Sequence, residues 1–217
     1  TYSGNVTVSN AHTVTQLNTI NDGTTGTITL NDYTVALSGT AAVIKAALTG
    51  TFGAAYTGNV TISDANGTSI AATDLSTIAG DTNGTVTVTN NINITGTAAA
   101  IATAVGNVNT FSGTPTVALS DAHTISNLKT INDAVSGVIT LSNYGVALTG
   151  NSDVVAAALA GSFASAYTGN VSLSDAHTIT ELKTINDGTT GDIVLVDPSA
   201  SLTGSATDVN AALAGTI

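Results

Sequence analysis

Three histidines, His12, His123 and His177, recur at one position of a repeating pattern and are the first candidates for chemistry. A row of imidazoles could ligate a transition metal. The second copy of the pattern, however, carries Asn66-Gly67 there, and no cysteine is present to complete a set of three or four ligands. The residues favour a histidine at a helix start, hydrogen-bonding locally. Aspartates form two further rows: Asp64, Asp121 and Asp175 behind a serine, and Asp22, Asp133 and Asp187 near the end of an expected helix. Helix capping explains the first row and turn formation the second. The functional alternative is Ca²⁺ held between neighbouring coils, because stacked carboxylates repel until a cation neutralises them. These six aspartates are the metal candidates and calcium the one candidate cofactor, although no EF-hand loop or glycine-aspartate nonapeptide accompanies them.

No catalytic residue is assigned. Serine, histidine and aspartate could be drawn as a triad, but here they recur copy after copy, as scaffold residues do and a unique active centre does not. Gly-x-Ser-x-Gly, phosphate-loop and paired-carboxylate motifs are absent. The expectation is a protein that is not an enzyme. Thr-x-Thr pairs (Thr13/Thr15, Thr27/Thr29, Thr85/Thr87) suggest a flat ice-matching face. The third and fourth copies replace the second of these pairs by Val138/Thr140 and Asp192/Val194, so the strand preference of threonine is the better account. The six Asn-x-Ser/Thr sequons are no more than chance gives in a chain this rich in asparagine, serine and threonine.

These residues must be held by the repeat itself. Val6, Val60, Val117 and Val171 are equivalent and divide the chain into units at 1–55, 56–111, 112–166 and 167–217, the second divergent and the fourth truncated. Each unit reads as strand (Val6-Thr7-Val8), a Ser9-Asn10 cap, and a helix whose stripe is Val14, Leu17 and Ile20. "NDGTTG" stops that helix, with Gly23 free to take a positive φ. Two short strands follow (Ile28 and Leu30, then Val35 and Leu37) around Asn31-Asp32. A second helix comes next, capped by Thr40 (Thr97 and Ser205 in later copies), bearing Ile44 and Leu48 and ended by Gly50, with Gly106, Gly161 and Gly215 at the same place.

Each half of the unit is strand, cap and helix, about 27 residues long, and cannot bury its apolar stripe alone. Stacking is therefore expected. The fold class is α/β, a parallel solenoid of strand–helix repeats, similar in organisation to leucine-rich repeats, with four units of ~55 residues in one continuous body.

Composition narrows the partners. Charged residues are 8% of the chain, against about 25% in ordinary soluble domains. Fourteen acidic residues face three lysines (Lys45, Lys129, Lys183) and no arginine, which disfavours nucleic acid and anionic membrane surfaces. No apolar run approaches the eighteen or so residues that span a bilayer, so membrane insertion is not expected. The absence of an initiator methionine reads as a processed chain or a piece of a longer one.

The strings "TINDGTTGTITL" and "LSGTAAVIKAALTG", echoed through all four copies, resemble the Thr/Ala/Gly-rich tandem-repeat regions of very long bacterial surface or adhesin proteins of cyanobacterial type. The resemblance implies an extracellular or cell-surface location and a structural role. One reading is a segment of a filament, surface layer or sheath whose partner is itself. The alternative is the stalk or ligand-presenting region of a secreted adhesin, stabilised by calcium and facing cell-surface glycans.

Overall fold

In the computed structural model all 217 residues are described. The protein is α/β, with eight helices and thirteen short strands paired in parallel in several small sheets, none closed into a barrel. No helix is long and apolar enough to cross a membrane. The chain forms two compact units, Thr1–Ile94 with Gly106–Pro115, and Thr95–Val105 with Thr116–Ile217.

The first unit holds β1 (Val6–Val8), α1 (Val14–Gly23), β2 (Ile28–Leu30), β3 (Leu37–Gly39), α2 (Ala41–Leu48), β4 (Val60–Ile62), β5 (Ser69–Ala71), α3 (Ala72–Asp81) and β6 (Val86–Val88). Two elements, β7 (Asn93–Gly96) and α4 (Ala98–Asn107), bridge the division in sequence, and β8 (Thr110–Phe111) returns to the first unit. One sheet runs β3-β4-β6-β8, with Leu37 opposite Val60 and Val60 opposite Val86. A second pairs β1 with β2, Val6 opposite Ile28. Parallel neighbours need a long crossover, and here a single helix supplies it. Period-two alternation sends Leu37, Val60, Ile62, Val86 and Val88 into the core, while Ser38, Thr61 and Thr87 form a ladder on the opposite face. Helix α2 lies between α1 and α3, and their Leu17, Ile44, Leu75 and Ile78 are almost wholly buried. Each such side chain contributes about 1.5–3 kcal/mol of hydrophobic stabilisation.

The second unit repeats the scheme. It holds β9 (Thr116–Leu119), α5 (Ile125–Ala134), β10 (Ile139–Thr140), β11 (Leu148–Gly150), α6 (Ser152–Leu159), β12 (Val171–Leu173), α7 (Ile179–Gly188), β13 (Ile193–Val194) and α8 (Ala206–Ala212). Strands β11-β12-β13 form one sheet and β9 pairs with β10. Helices α5, α6, α7 and α8 contact one another in succession, with Leu128, Ile131, Val155, Leu182 and Ile185 in their core.

Three local expectations are corrected. The first helix is capped by Thr13, not by Ser9-Asn10: Thr13 Oγ1 accepts from Gln16 N–H, and Gln16 Oε1 accepts from Thr13 N–H at 2.9 Å in a capping box. Thr178 caps α7 with the same box, to Glu181, and Thr124 caps α5 through its hydroxyl, which accepts from Asn127 N–H. The helix also does not stop on a left-handed Gly23, since only Gly67 and Gly96 have positive φ. It passes straight into extended backbone at Thr24, whose buried hydroxyl donates to Gly4 O and accepts from Gly26 N–H. Thr82 and Thr189 repeat both bonds, so the threonine, and not the glycine, shapes the exit. Finally, Val35 lies outside β3, and its carbonyl is used by a tyrosine described below.

Candidate functional site

The aspartates expected to cap their own helices cap a neighbour's. In β3 and β4, Gly39 stands opposite Ile62, so two residues further on Asp64 is level with Ala41, the first residue of α2. Asp64 Oδ2 accepts from Ala41 N–H at 2.7 Å, and Asp64 is buried. Asp121 accepts from Ala98 N–H and Asp175 from Ser152 N–H, both at 2.7 Å and again across 23 residues. In each case a carboxylate of one copy satisfies an orphan amide of the preceding copy's second helix, where the helix dipole also favours negative charge.

The other aspartate row stays apart from the first. Asp133 and Asp187 pair with Lys129 and Lys183 one helical turn earlier. Asp22 lies exposed near the end of α1. No group of three His, Cys, Asp or Glu side chains gathers at one point. Beside Asp22, Asp133 and Asp187 stands a residue that sequence reasoning passed over. Asn21, Asn132 and Asn186 donate from Nδ2 to Ala46 O, Ala157 O and Ala211 O, near the carbonyl ends of α2, α6 and α8. Gly50, Gly161 and Gly215 lie so close to these amides that any β-carbon would strike the asparagine oxygen. In the second copy Ala79 replaces the asparagine, and Gly106 has open space around it. Only the asparagine varies in the sequence, the glycine being kept in all four copies.

The histidines are buried and bond far along the chain. His12 Nε2 lies 3.2 Å from Tyr56 Oη, and His123 Nε2 lies 2.9 Å from Tyr167 Oη, each across 44 residues. The tyrosine hydroxyls donate to Val35 O and Val146 O at 2.5 and 2.6 Å. Their single proton being committed there, the imidazole must donate through Nε2–H. Each Nδ1 is then an acceptor, buried without a partner. Burial lowers the pKa of His12, opposed by Asp32, and that of His123, opposed by Asp121. Burial also pushes the Tyr56 and Tyr167 hydroxyls up to about 12, Asp32 adding to the effect at Tyr56.

The expectation of a local helix-start bond is therefore corrected. The imidazole locks one copy to the tyrosine that opens the next. Histidine and tyrosine are also lost together: the second copy has Asn66, and the third has Gly113 where Tyr56 and Tyr167 stand.

A scan against protein families and searches of curated proteins and of solved structures gave no match.

The arrangement can therefore be judged only by its own geometry. The imidazole donates to a tyrosine whose proton is already given to a carbonyl, and the carboxylates are aimed at helix amides. Lys45, the one lysine outside an i,i+4 pair, reaches Asp74 of the next copy at 2.6 Å, joining α2 to α3. Both partners are more than a third exposed, so the pair contributes at most about 1 kcal/mol. His12 and His123, Asp64, Asp121 and Asp175, and Asn21, Asn132 and Asn186 are spent on contacts between successive helices and strands.

Proposed function

We propose that this chain is a structural repeat segment of an extracellular filament, surface layer or sheath. Its strand–helix modules stack as one continuous parallel solenoid and associate with further copies of the same kind. The observation that carries the reading is the use made of the recurring polar residues. His12, His123, Asp64, Asp121 and Asp175 each bond to a group in an adjacent copy, a placement suited to transmitting contact and ill suited to turning over a substrate. The low charge and the threonine-rich outer ladder suit an external coat, as does the resemblance to tandem-repeat regions of large bacterial surface proteins.

Electron microscopy of the purified chain, with light scattering over a concentration series, tests this. Fibres or sheets with an axial repeat are the expected result. A particle that stays single at every concentration would overturn self-association and leave the adhesin stalk, with recognition in a separate module.

A further inference from the structure

We propose that Asn83 is a site of spontaneous modification, where the chain loses ammonia and gains an aspartate or isoaspartate, and that Asn66 is protected from the same reaction. The proposal does not rest on the stacking reading. Asn66 and Asn83 are the two asparagines followed by glycine. A glycine nitrogen, with no side chain beside it, is the least hindered to attack the residue before it. In both places the fold requires the glycine. Gly67 has a φ of +78°. At Gly84 a β-carbon would stand 2.3 Å from Gly58 O, and at Gly26 and Gly191 it would stand 2.3 and 2.5 Å from Gly4 O and Gly169 O. Two main chains cross at this point, and only glycine lets them. The residue ahead of that glycine therefore decides how labile the crossing is. Copies one, three and four place Thr25, Ser136 and Thr190 there, and copy two places Asn83.

Both asparagines are exposed, and their bonding separates them. Asn66 Oδ1 accepts from Asn91 N–H at 2.9 Å, and Gly67 N–H donates to Asn91 O at 2.7 Å. The carbon to be attacked and the nitrogen that would attack it are thus both held by Asn91. The Asn83 side chain has no hydrogen-bond partner. Its main-chain N–H donates to Tyr56 O at 2.8 Å, and Gly84 N–H donates to Thr82 Oγ1 at 3.0 Å. One bond to a hydroxyl is all that has to open before Gly84 N is free. The reaction then balances with water alone. Gly84 N, its proton lost to solvent, bonds to Asn83 Cγ; the Cγ–Nδ2 bond breaks, and the amide leaves as ammonia with a proton from water. Water next opens the cyclic imide. Cleavage at Cγ restores the main chain and leaves an aspartate. Cleavage at the main-chain carbonyl leaves the chain running through Cβ and Cγ, one carbon longer, immediately before the crossing of Gly84 with Gly58. Either product makes a chain of net charge −11 more negative by one.

Incubating the purified full chain in heavy-oxygen water at mildly alkaline pH, followed by peptide mapping in a mass spectrometer, tests this. Asn83 is expected to convert about fivefold faster than Asn66 or more, because a further hydrogen bond has to open at Asn66. Each conversion should carry solvent oxygen into the product. In denaturant, where neither asparagine is held, the two should convert at similar rates. Asn83→Gln, whose longer side chain closes the ring poorly, and Asn83→Thr, with the residue of copies one and four, should both fold as the wild type does and remove the signal from the folded chain. Conversion of Asn66 as fast as Asn83 in the folded chain, or no conversion at Asn83, overturns the proposal.

Discussion

The first helices of copies one and two, α1 and α3, belong to the same compact unit, yet they start by different means. In copy one a loop runs from Val8 to Thr13, the capping box closes the helix end, and His12 reaches Tyr56. Copy two carries four extra residues there. It turns at Gly67, whose φ of +78° suits glycine, and lays down β5 directly before α3, whose cap residue Ala71 makes no side-chain bond. Bonds within the copy hold this segment: Gly67 N–H donates to Asn91 O at 2.7 Å, Asn93 N–H donates to Thr68 O at 2.8 Å, and Asn66 Oδ1 accepts from Asn91 N–H. The comparison teaches that this edge must be closed, and that a side-chain latch and an added strand are interchangeable ways to close it. Copy two has the added strand where the other three copies have the histidine.

The severest way to break this equivalence is to disturb the period. Excising residues 56–84, about half a unit, sets a mismatched apolar stripe against copy one, and light scattering should report aggregation. Excising residues 56–111 should leave a soluble, cooperatively unfolding chain and preserve assembly. Excising residues 56–166 should do better still in thermal melts, because Tyr167 then follows His12 at the spacing Tyr56 had. Equal behaviour of the half-unit and whole-unit deletions would count against stacking.

Next in size is the latch. Tyr56→Ala empties a fully buried site and should cost about 3–5 kcal/mol in denaturant melts, as large aromatic truncations do. Tyr56→Phe, which strands His12 Nε2 and the Val35 carbonyl, should cost about 1–3 kcal/mol. Removing the cap is smaller: Asp64→Ala should cost about 1–2 kcal/mol, and Asp121→Ala less, since Asp121 is exposed.

Glycine sharpens the contrast between copies. Gly50→Ala should destabilise, and Asn21→Ala in the same chain should relieve most of that cost in a double-mutant cycle. Gly106→Ala, with free space at the end of α4, should be neutral or stabilise by up to about 1 kcal/mol.

The smallest effect is that of pH. Burial lowers the His12 and His123 pKa values, so the unfolded chain binds more protons than the folded one in the window just below the unfolded value. Stability should be full above about pH 6.5 and fall as pH drops through that window to the lowered folded values, then level off as far as these groups are concerned. His12→Gln with His123→Gln should flatten that part of the profile. A slope unchanged in the double variant would show that other groups govern it.

Much of this could be read from the residues alone. The strands at Val6, Ile28 and Leu37, and the second helix with its Thr40 cap and buried Ile44 and Leu48, followed from period and end chemistry, which are local properties. The acidic row, the histidines and the asparagines were misread or missed for one physical reason. Capping rules assume that a side chain serves its own helix, whereas Asp64 serves an amide 23 residues earlier because a parallel neighbour lies closer in space than its own first turn. Ser9-Asn10 looked like a cap because its relatives in the later copies are caps, of another helix. The clue available was covariation of His with Tyr among the four copies, and not any single motif.

The parallel pairings have a consequence for how the molecule comes into being. Val6 to Ile28, Leu37 to Val60, Val60 to Val86 and Val171 to Ile193 span 22 to 26 residues, and the histidine–tyrosine bonds span 44. Closing such loops costs nearly the same entropy wherever in the chain it happens. A polypeptide with this wiring can lay down structure progressively as it emerges, each new coil templated by the last, without waiting for a distant segment to arrive.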